Sequence, residues 1–339
     1  MPFYYSAYSL SLGANQPIPG LVPLAVPPEV DVDVRLGVLP RELKTLTGAA
    51  QVWRTGPYVD ERGEPALRVW KLAGGKYYRL LYSDGTEFVV DRAGTNVWTV
   101  WPATLTLEDA ATYFLGPVLG FVLRLRHVTC LHASAVAIGD QAIALVGPPQ
   151  SGKSTTAAAF FHLGYWVLSE DVAALHEDGG TFFVQPGYPR IRLWPESVNA
   201  LYGAPHALPR LTPTWDKCYL DLTEGNFKSQ DTPLPLAAIY VLGERCTDPA
   251  APLIERTPAS AGLIELVANT YTGYLLDDAM RRGEFESLAR IAASVPVRRV
   301  KPHADPGRLF TLCDTILDDF QGRTSAVLAD KDRRKDEYV

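Results

Sequence analysis

The strongest constraint on this chain is the segment 147–155, which reads GPPQSGKST and has the form G-x-x-x-x-G-K-S. A short apolar run, 141–146, precedes the first glycine, and a run rich in helix formers, 156–161, follows the motif. This order of strand, glycine-rich loop and helix is the setting that a phosphate-binding loop requires. The glycines allow a tight turn that points backbone N–H groups inward, and the helix N-terminus adds partial positive charge.

The motif gives a candidate role to each of its functional side chains. Lys153 can reach the outer phosphates of a nucleotide, and the hydroxyl of Ser154 can ligate magnesium. We therefore expect the chain to bind a nucleoside triphosphate, or to descend from a protein that did, with ATP and Mg²⁺ as its cofactors. The residues predicted to contact the nucleotide are Gly147, Pro148, Gln150, Ser151, Gly152, Lys153, Ser154 and Thr155.

A pair of acids lies one predicted helix beyond the motif. The segment 164–168 predicts a strand, and this strand ends in Ser169, Glu170 and Asp171. A carboxylate in this position relative to the loop is where a magnesium-directing acid belongs. Of two adjacent carboxylates, one can hold the metal while the other takes a proton from an incoming hydroxyl. A solvated strand end is the alternative interpretation.

Basic and imidazole side chains complete the candidate site. The segment 129–138 predicts a strand one hairpin away from the loop, and it carries His132. Arg190 and Arg192 are two positions apart and therefore share one face of a predicted strand. Two guanidinium groups on one face suit a phosphate or an acidic substrate, whereas an exposed pair on a sheet edge is the alternative. Lys217 precedes a further predicted strand and is available near the site.

The chain divides into four predicted parts. Residues 1–104 read as short strands separated by turns and predict a small, mostly antiparallel β domain. Residues 105–126 predict a bridging helix with a kink or break at 116–117, because proline cannot continue a helix unperturbed. Residues 127–321 form the predicted catalytic domain, in which Ile264, Val267, Tyr271 and Leu275 predict a core-facing helical stripe. The charged segment 322–339 lacks periodicity and predicts a disordered tail.

Composition excludes several classes of protein. The net charge of −6 argues against a general nucleic-acid binder. The sequence has no apolar run of about 20 residues, so we expect no membrane span. The four cysteines are scattered, which indicates neither a zinc site nor a disulfide framework. Reduced thiols and the lack of a signal-peptide pattern at the N-terminus predict a cytoplasmic protein.

Three features together resemble a known family: the strand 131–136 ahead of the loop hairpin, the acids ending the next strand, and the basic segments 188–192 and 216–217. They are similar to the catalytic domain of HPr kinase/phosphorylase, a bacterial protein-serine kinase. The resemblance covers residues 127–243 well and 244–320 loosely. It implies an α/β (α+β) fold, in which a P-loop kinase domain like that of phosphoenolpyruvate carboxykinase follows the β domain.

The resemblance also implies roles for individual residues. Glu170 corresponds to the proton acceptor, and Asp171 with Ser154 corresponds to the magnesium side. His132 and Lys153 join them as catalytic residues, and the side chains implied around the substrate or the transferring phosphoryl group are Arg190, Arg192 and Lys217.

The sequence departs from the family pattern at two points. The family has aspartate at the position of Glu170, and a misplacement of about 1 Å can cost on the order of a hundredfold in rate. Either Glu170 still serves as the base, or Asp171 does more of that work. The segment 306–308 is followed by leucine rather than the family's asparagine, so the phosphorylase activity is not carried over.

The segments 4–10 and 115–121 resemble a narrower set of HPr-kinase-like proteins that are encoded with peptide-modifying systems. Some members of this set phosphorylate a serine of a lasso-peptide precursor. The resemblance therefore implies ATP-dependent transfer of a γ-phosphoryl group to a serine on a peptide or small protein. The alternatives are an HPr serine kinase, a small-molecule kinase or ATPase, and a non-catalytic nucleotide-binding partner. The oligomeric state and the base preference do not follow from the sequence.

Overall fold

Across the residues that the structure describes, two eight-stranded β-sheets from different halves of the chain organise the fold. The computed structural model describes residues 2–46, 51–223 and 232–336, with side chains described up to residue 322. The first sheet uses strands between residues 3 and 100, and the second uses strands between residues 129 and 301. The mixed α/β class predicted from the sequence is confirmed.

The first sheet is antiparallel except around its third strand, which pairs in parallel with both neighbours. Its strands lie in the order β1-β2-β3-β8-β7-β6-β5-β4. A short helix, α1 (Arg41–Thr45), follows the third strand. The strands are β1 (Phe3–Ala7), β2 (Leu10–Ala14), β3 (Val32–Leu36), β4 (Val52–Thr55), β5 (Leu67–Leu72), β6 (Tyr77–Tyr82), β7 (Glu87–Asp91) and β8 (Asn96–Val100).

The turn between β1 and β2 contacts the second half of the chain. Tyr8 and Ser9 form this turn with φ values of 55° and 61°, in the left-handed region that bulky residues rarely adopt. The backbone N–H of Tyr8 donates to the carbonyl of Pro186 at 2.7 Å, and the Ser9 hydroxyl donates to the amide oxygen of Gln185. Tyr8 is 2% exposed while Ser9 is exposed, so these contacts hold the buried first residue of the turn against the second half of the chain.

Two helices connect the sheets. Helix α2 (Leu107–Tyr113) begins with a capping box, in which Thr106 and Asp109 each bond the other's backbone N–H. A π-helical turn, Phe114–Val118, separates α2 from α3 (Leu119–Leu125). The backbone leaves helical geometry at Gly116, where φ is −96° and ψ is −108°, directly before a proline. The connection is therefore broken where the sequence predicts a kink or break.

In the second half of the chain, the described residues form the second sheet, a separate β-ribbon, five α-helices and two short 3-10 helices. The strands are β9 (Thr129–Ile138), β10 (Gln141–Val146), β11 (Trp166–Ser169), β12 (Val172–Asp178), β13 (Thr181–Val184), β14 (Arg190–Leu193), β15 (Cys218–Asp221), β16 (Leu234–Leu242), β17 (Leu253–Arg256) and β18 (Val297–Lys301). The helices are α4 (Lys153–His162), α5 (Pro195–Tyr202), α6 (Ala259–Ala268), α7 (Asp278–Ser294) and α8 (Leu309–Asp336).

The pairing of the second sheet determines which loops lie together. Strand β10 pairs with β9 on one side and with β16 on the other, and β16 pairs in parallel with β18. Strands β10, β16 and β18 run in the same direction, so the loops that follow them meet at one edge of the sheet. Strands β11 and β12 pair with β9, which brings the segment between them to the other side of β10.

The domain boundaries at residues 104, 126 and 321 stay predictions. The disorder predicted for 322–339 also stays a prediction; the backbone of helix α8 is described to Asp336, and residues 337–339 lie outside the described part of the chain. The four cysteines are free thiols. Within the residues described, no helix is both long and apolar enough to span a membrane.

Candidate functional site

The glycine-rich loop leaves β10 and ends where α4 begins at Lys153. Gly147, Gln150 and Gly152 have φ values of 151°, 68° and 101°, which glycine adopts freely and most other residues do not. A Cβ atom at position 147 would lie 2.6 Å from the carbonyl oxygen of Leu242 and 2.7 Å from Oγ of Ser151. The loop geometry therefore requires glycine at its first position.

Lys153 is the buried cation of the loop, with 6% of its surface exposed. Its ammonium group donates hydrogen bonds to the carbonyls of Gly147 at 2.8 Å and Pro148 at 3.1 Å. Burial lowers the pKa of Lys153, whereas the nearby carboxylates of Asp171 and Glu170 act in the opposite direction. The amine thus lies within the electrostatic reach of both predicted acids.

Glu170 is the acid next to the loop. It is 4% exposed, and its Oε1 accepts a hydrogen bond of 2.8 Å from the hydroxyl of Ser154. Its Oε2 accepts from Nε of Arg192 at 3.2 Å. A hydroxyl and a carboxylate oxygen are ligands that Mg²⁺ takes in combination with nucleotide phosphates. This pairing joins Ser154 to Glu170, whereas the resemblance implies Asp171 as its partner.

Asp171 occupies a left-handed turn between β11 and β12, with φ at 67°. Three side chains converge on its carboxylate. Arg192 Nη2 lies 2.6 Å from Oδ2, the Tyr271 hydroxyl donates to Oδ2 at 2.7 Å, and His132 Nε2 lies 3.3 Å from Oδ1. Burial raises the pKa of Asp171, but Arg192, His132 and Tyr271 together hold it well below its usual range. Asp171 is therefore an ionised carboxylate with a fixed orientation.

The predicted basic residues take different positions around the acids. Arg192, whose side chain is 9% exposed, contacts both carboxylates. Arg190 shares its strand face but stacks over the ring of Tyr219, with 4.0 Å between the guanidinium carbon and the ring centroid.

Lys217 Nζ lies 4.8 Å from the centroid of Trp194. Burial and the charge of Arg192 lower the pKa of Lys217, while Glu170 and Asp171 act to raise it. Lys217 therefore lies within the electrostatic reach of the acids, whereas none of the hydrogen bonds or ion pairs of the described residues joins Arg190 to them.

Tyr271 is the site residue that the sequence does not reveal. The predicted core-facing stripe is confirmed for Tyr271 and Leu275, which are buried, and wrong for Ile264 and Val267, which are 70% and 46% exposed. Helix α6 ends at Ala268, and the chain then turns so that the backbone N–H of Tyr271 donates to the carbonyl of Cys130 at 2.9 Å. This turn brings the phenol to Asp171. No motif in the sequence marks that contact.

The fold and site define a mixed α/β protein with a loop of the phosphate-binding form beside two acids. Within the described residues, no cluster of three or more His, Cys, Asp or Glu side chains could hold a metal alone. The hydroxyl of Ser151 is buried without a partner in the described part of the chain, and it lies in the loop. The paired side-chain oxygens of Ser154 and Glu170 fit a magnesium ion whose remaining ligands are phosphate oxygens and water.

Comparison with known proteins gives likenesses in structure and none in sequence. No family model matches the sequence, and a search of curated proteins also finds no match. Among solved structures, the chain is similar to the Hpr(Ser) kinase/phosphatase from Coxiella burnetii, with 13% sequence identity and a TM-score of 0.34. The similarity covers 58% of this chain and 98% of that chain.

Proposed function

We propose that the protein is an ATP-dependent kinase that transfers the γ-phosphoryl group to a serine hydroxyl of a peptide or small protein. One observation carries this proposal: a buried lysine of the loop, a serine–glutamate pair and an oriented, ionised aspartate lie together. These are the parts that phosphoryl transfer needs, namely phosphate neutralisation, a metal position and a proton acceptor.

The loop and Lys153 supply the phosphate-binding half of the site. The ammonium group bonds the carbonyls of Gly147 and Pro148, so it is anchored in the loop whose N–H groups would surround the phosphates. Magnesium, when bound, neutralises charge on the phosphate oxygens. Ser154 and Glu170 are the residues that would hold it, because their side-chain oxygens already lie 2.8 Å apart.

Asp171 is the proposed proton acceptor. The serine oxygen of the acceptor attacks the γ-phosphorus, the bond from that phosphorus to the bridging oxygen breaks, and ADP leaves. The hydroxyl proton passes to the carboxylate of Asp171, a role worth roughly 10²–10⁴ in rate. Contacts with Arg192, Tyr271 and His132 fix the carboxylate before the substrate arrives and keep it ionised, at the cost of lowering its basicity. The sequence leaves open whether Glu170 or Asp171 is the base, and this proposal assigns that role to Asp171.

The remaining cations have supporting roles in this proposal. Arg192 contacts both acids, and an opposite charge at this distance favours the ionised form of a carboxylate. Lys217 lies within the electrostatic reach of the acids and adds positive charge where the transferring group would pass.

Transfer of the terminal phosphate of γ-labelled ATP to a panel of serine-containing peptides and small proteins tests the proposal. The full chain should label an acceptor, and Lys153→Ala should abolish labelling. Lys76→Ala is a matched control, because Lys76 is exposed and lies in the first half of the chain. Labelling that survives Lys153→Ala contradicts the assignment.

The same assay separates the alternatives. Turnover of ATP without any peptide would indicate an ATPase or small-molecule kinase, and binding without turnover would indicate a non-catalytic partner. The finer proposal of a ribosomally made lasso-peptide precursor rests on the resemblance of segments 4–10 and 115–121. Purified HPr in the panel tests the alternative protein substrate.

A further inference from the structure

We propose that the nucleoside end of the triphosphate binds in a cavity on the opposite side of the loop from the acids. The cavity has a volume of about 150 Å³ and lies between α5 and the segment that joins β18 to α8. This inference rests on the proposed nucleotide-dependent function and deepens it by naming the nucleoside subsite. Residues that line the cavity include Gly152, Thr155, Ala200, Arg245, His303 and Leu309.

The strand order sets the direction of the bound nucleotide. Glu170 and Asp171 follow β11, which lies on the β9 side of β10, whereas Arg245 and His303 follow β16 and β18 on the other side. A triphosphate in the loop that presents its γ-phosphate to the acids extends its α-phosphate away from them. The nucleoside attached to that phosphate therefore points towards the β16 and β18 loops.

The size and lining of the cavity suit a planar ring attached to a sugar. A cavity of about 150 Å³ is large enough to bind a ring such as benzene. Ala200, Pro302, Leu309 and Leu312 supply apolar surface, and the carboxylates of Glu196 and Asp305 supply hydrogen-bond acceptors. Mostly apolar walls with a few placed polar groups are typical of small-molecule sites.

Hydrogen bonds hold the walls of the cavity in place. The hydroxyls of Thr155 and Ser197 lie 2.7 Å apart and connect α4 to α5. On the opposite wall, Arg308 donates to the carbonyls of Pro249 at 2.7 Å and Ala251 at 2.9 Å. The backbone N–H of Asp305 donates to the ring of His303 at 3.0 Å. Walls that are formed before binding reduce the entropic cost of ordering them.

Arg245 is the cation at the rim between the loop and the cavity. It is exposed, and its Nη2 lies 3.2 Å from the position that a Cβ atom at Gly152 would take. In the part of the chain that the structure describes, its guanidinium group has no hydrogen-bond or ion-pair partner. A free guanidinium group at this point is suited to the phosphates nearest the sugar.

Filling the cavity tests the proposal. Ala200 is an exposed residue of α5, so Ala200→Trp introduces bulk into the cavity without disturbing the core. We expect this variant to bind ATP about tenfold or more weakly, a loss of about 1.4 kcal/mol. Its affinity for inorganic tripolyphosphate, which has no nucleoside, should stay within about twofold of wild type. Isothermal titration calorimetry in the presence of Mg²⁺ measures the affinity for each ligand.

Two further variants keep the result interpretable. Asn199→Trp adds the same bulk at an exposed neighbouring position outside the cavity lining, so it should bind both ligands as wild type does. Ala200→Leu gives a smaller, graded loss of ATP affinity. Equal weakening of ATP and tripolyphosphate by Ala200→Trp, or no weakening of ATP, overturns the subsite. A wild-type chain that binds neither ligand instead overturns the proposed function.

Discussion

Replacement of Gly120 by alanine tests whether the orientation of Asp171 matters to the reaction. Gly120 lies in α3, directly against the ring of Tyr271. A Cβ atom at this position would lie 2.6 Å from Cδ1 of Tyr271 and closer still to Cε1. The hydroxyl of the same ring donates the 2.7 Å hydrogen bond to Asp171. A single added methyl group therefore has to displace a side chain that holds the proposed base.

The size of the effect follows from these distances. Carbon atoms in contact lie about 3.5–4.0 Å apart, so the ring must move by roughly 1 Å or more. A hydrogen bond of normal length does not survive such a shift, and a misplacement of about 1 Å costs on the order of a hundredfold in rate. Overpacking of a core typically costs about 1–3 kcal/mol of stability.

The matched control is Gly283→Ala in α7. Gly283 is a helical glycine with no atom within 4 Å of its added Cβ, so alanine there should stabilise by about 0.5–1 kcal/mol. Urea unfolding measures both stabilities, and labelled-ATP transfer measures both rates. Tyr271→Phe removes the hydrogen bond without introducing a clash, so it should lower the transfer rate and leave the unfolding midpoint near that of wild type. A Gly120→Ala variant with wild-type rate and unfolding midpoint would refute the reasoning.

Three further predictions concern the charged residues. Glu170→Gln should raise the Mg²⁺ concentration needed for half-maximal transfer, whereas Asp171→Asn should lower the maximal rate by about 10²–10⁴ at saturating Mg²⁺. In the Arg192→Lys variant the side chain lacks the guanidinium fork that bonds both acids. Loss of one charged hydrogen bond costs about 1.5–3 kcal/mol, so the transfer rate should fall at least tenfold. Burial acts to raise the pKa of Asp109, but hydrogen bonds to its carboxylate, chiefly from Thr214, outweigh burial and lower that pKa below its ordinary value. Ionised Asp109 therefore stabilises the folded state above its unfolded-state pKa of about 3.9, and this contribution is lost as the pH falls through its lower folded-state pKa. We expect the difference in unfolding free energy between wild type and Asp109→Asn to shrink below pH about 4.

Local patterns in the sequence predicted the loop and the neighbourhood of the acids. The motif at 147–155 fixes its own geometry, because its glycines lie where φ is positive. Strand β11 ends at Ser169, directly before the two acids, as the apolar run 164–168 predicts. The predicted break at 116–117 also follows from local chemistry, since proline lacks the N–H that a helix needs.

Long-range contacts decided the rest of the site. Glu170 and Asp171 lie in the turn between β11 and β12, with Asp171 in the left-handed region, and both contact Arg192 of a different strand. The hydrogen bond of Ser154 to Glu170 likewise joins residues 16 positions apart. Tyr271 lies 100 positions from Asp171, and no periodic pattern encodes a contact of that kind.

The turn at Tyr8 and Ser9 affects how shortened versions of this chain should be interpreted. The ring of Tyr8 lies against Gly187, where an added Cβ atom would be 3.0 Å from it, and Gly187 bonds β11, the strand directly before the acids. Deletion of the N-terminal residues would expose this surface and its buried hydroxyls to water. Loss of the proposed activity on such a deletion would therefore report damage to the half that carries the loop and the two acids, and it would not identify the N-terminal half as the part that selects the substrate.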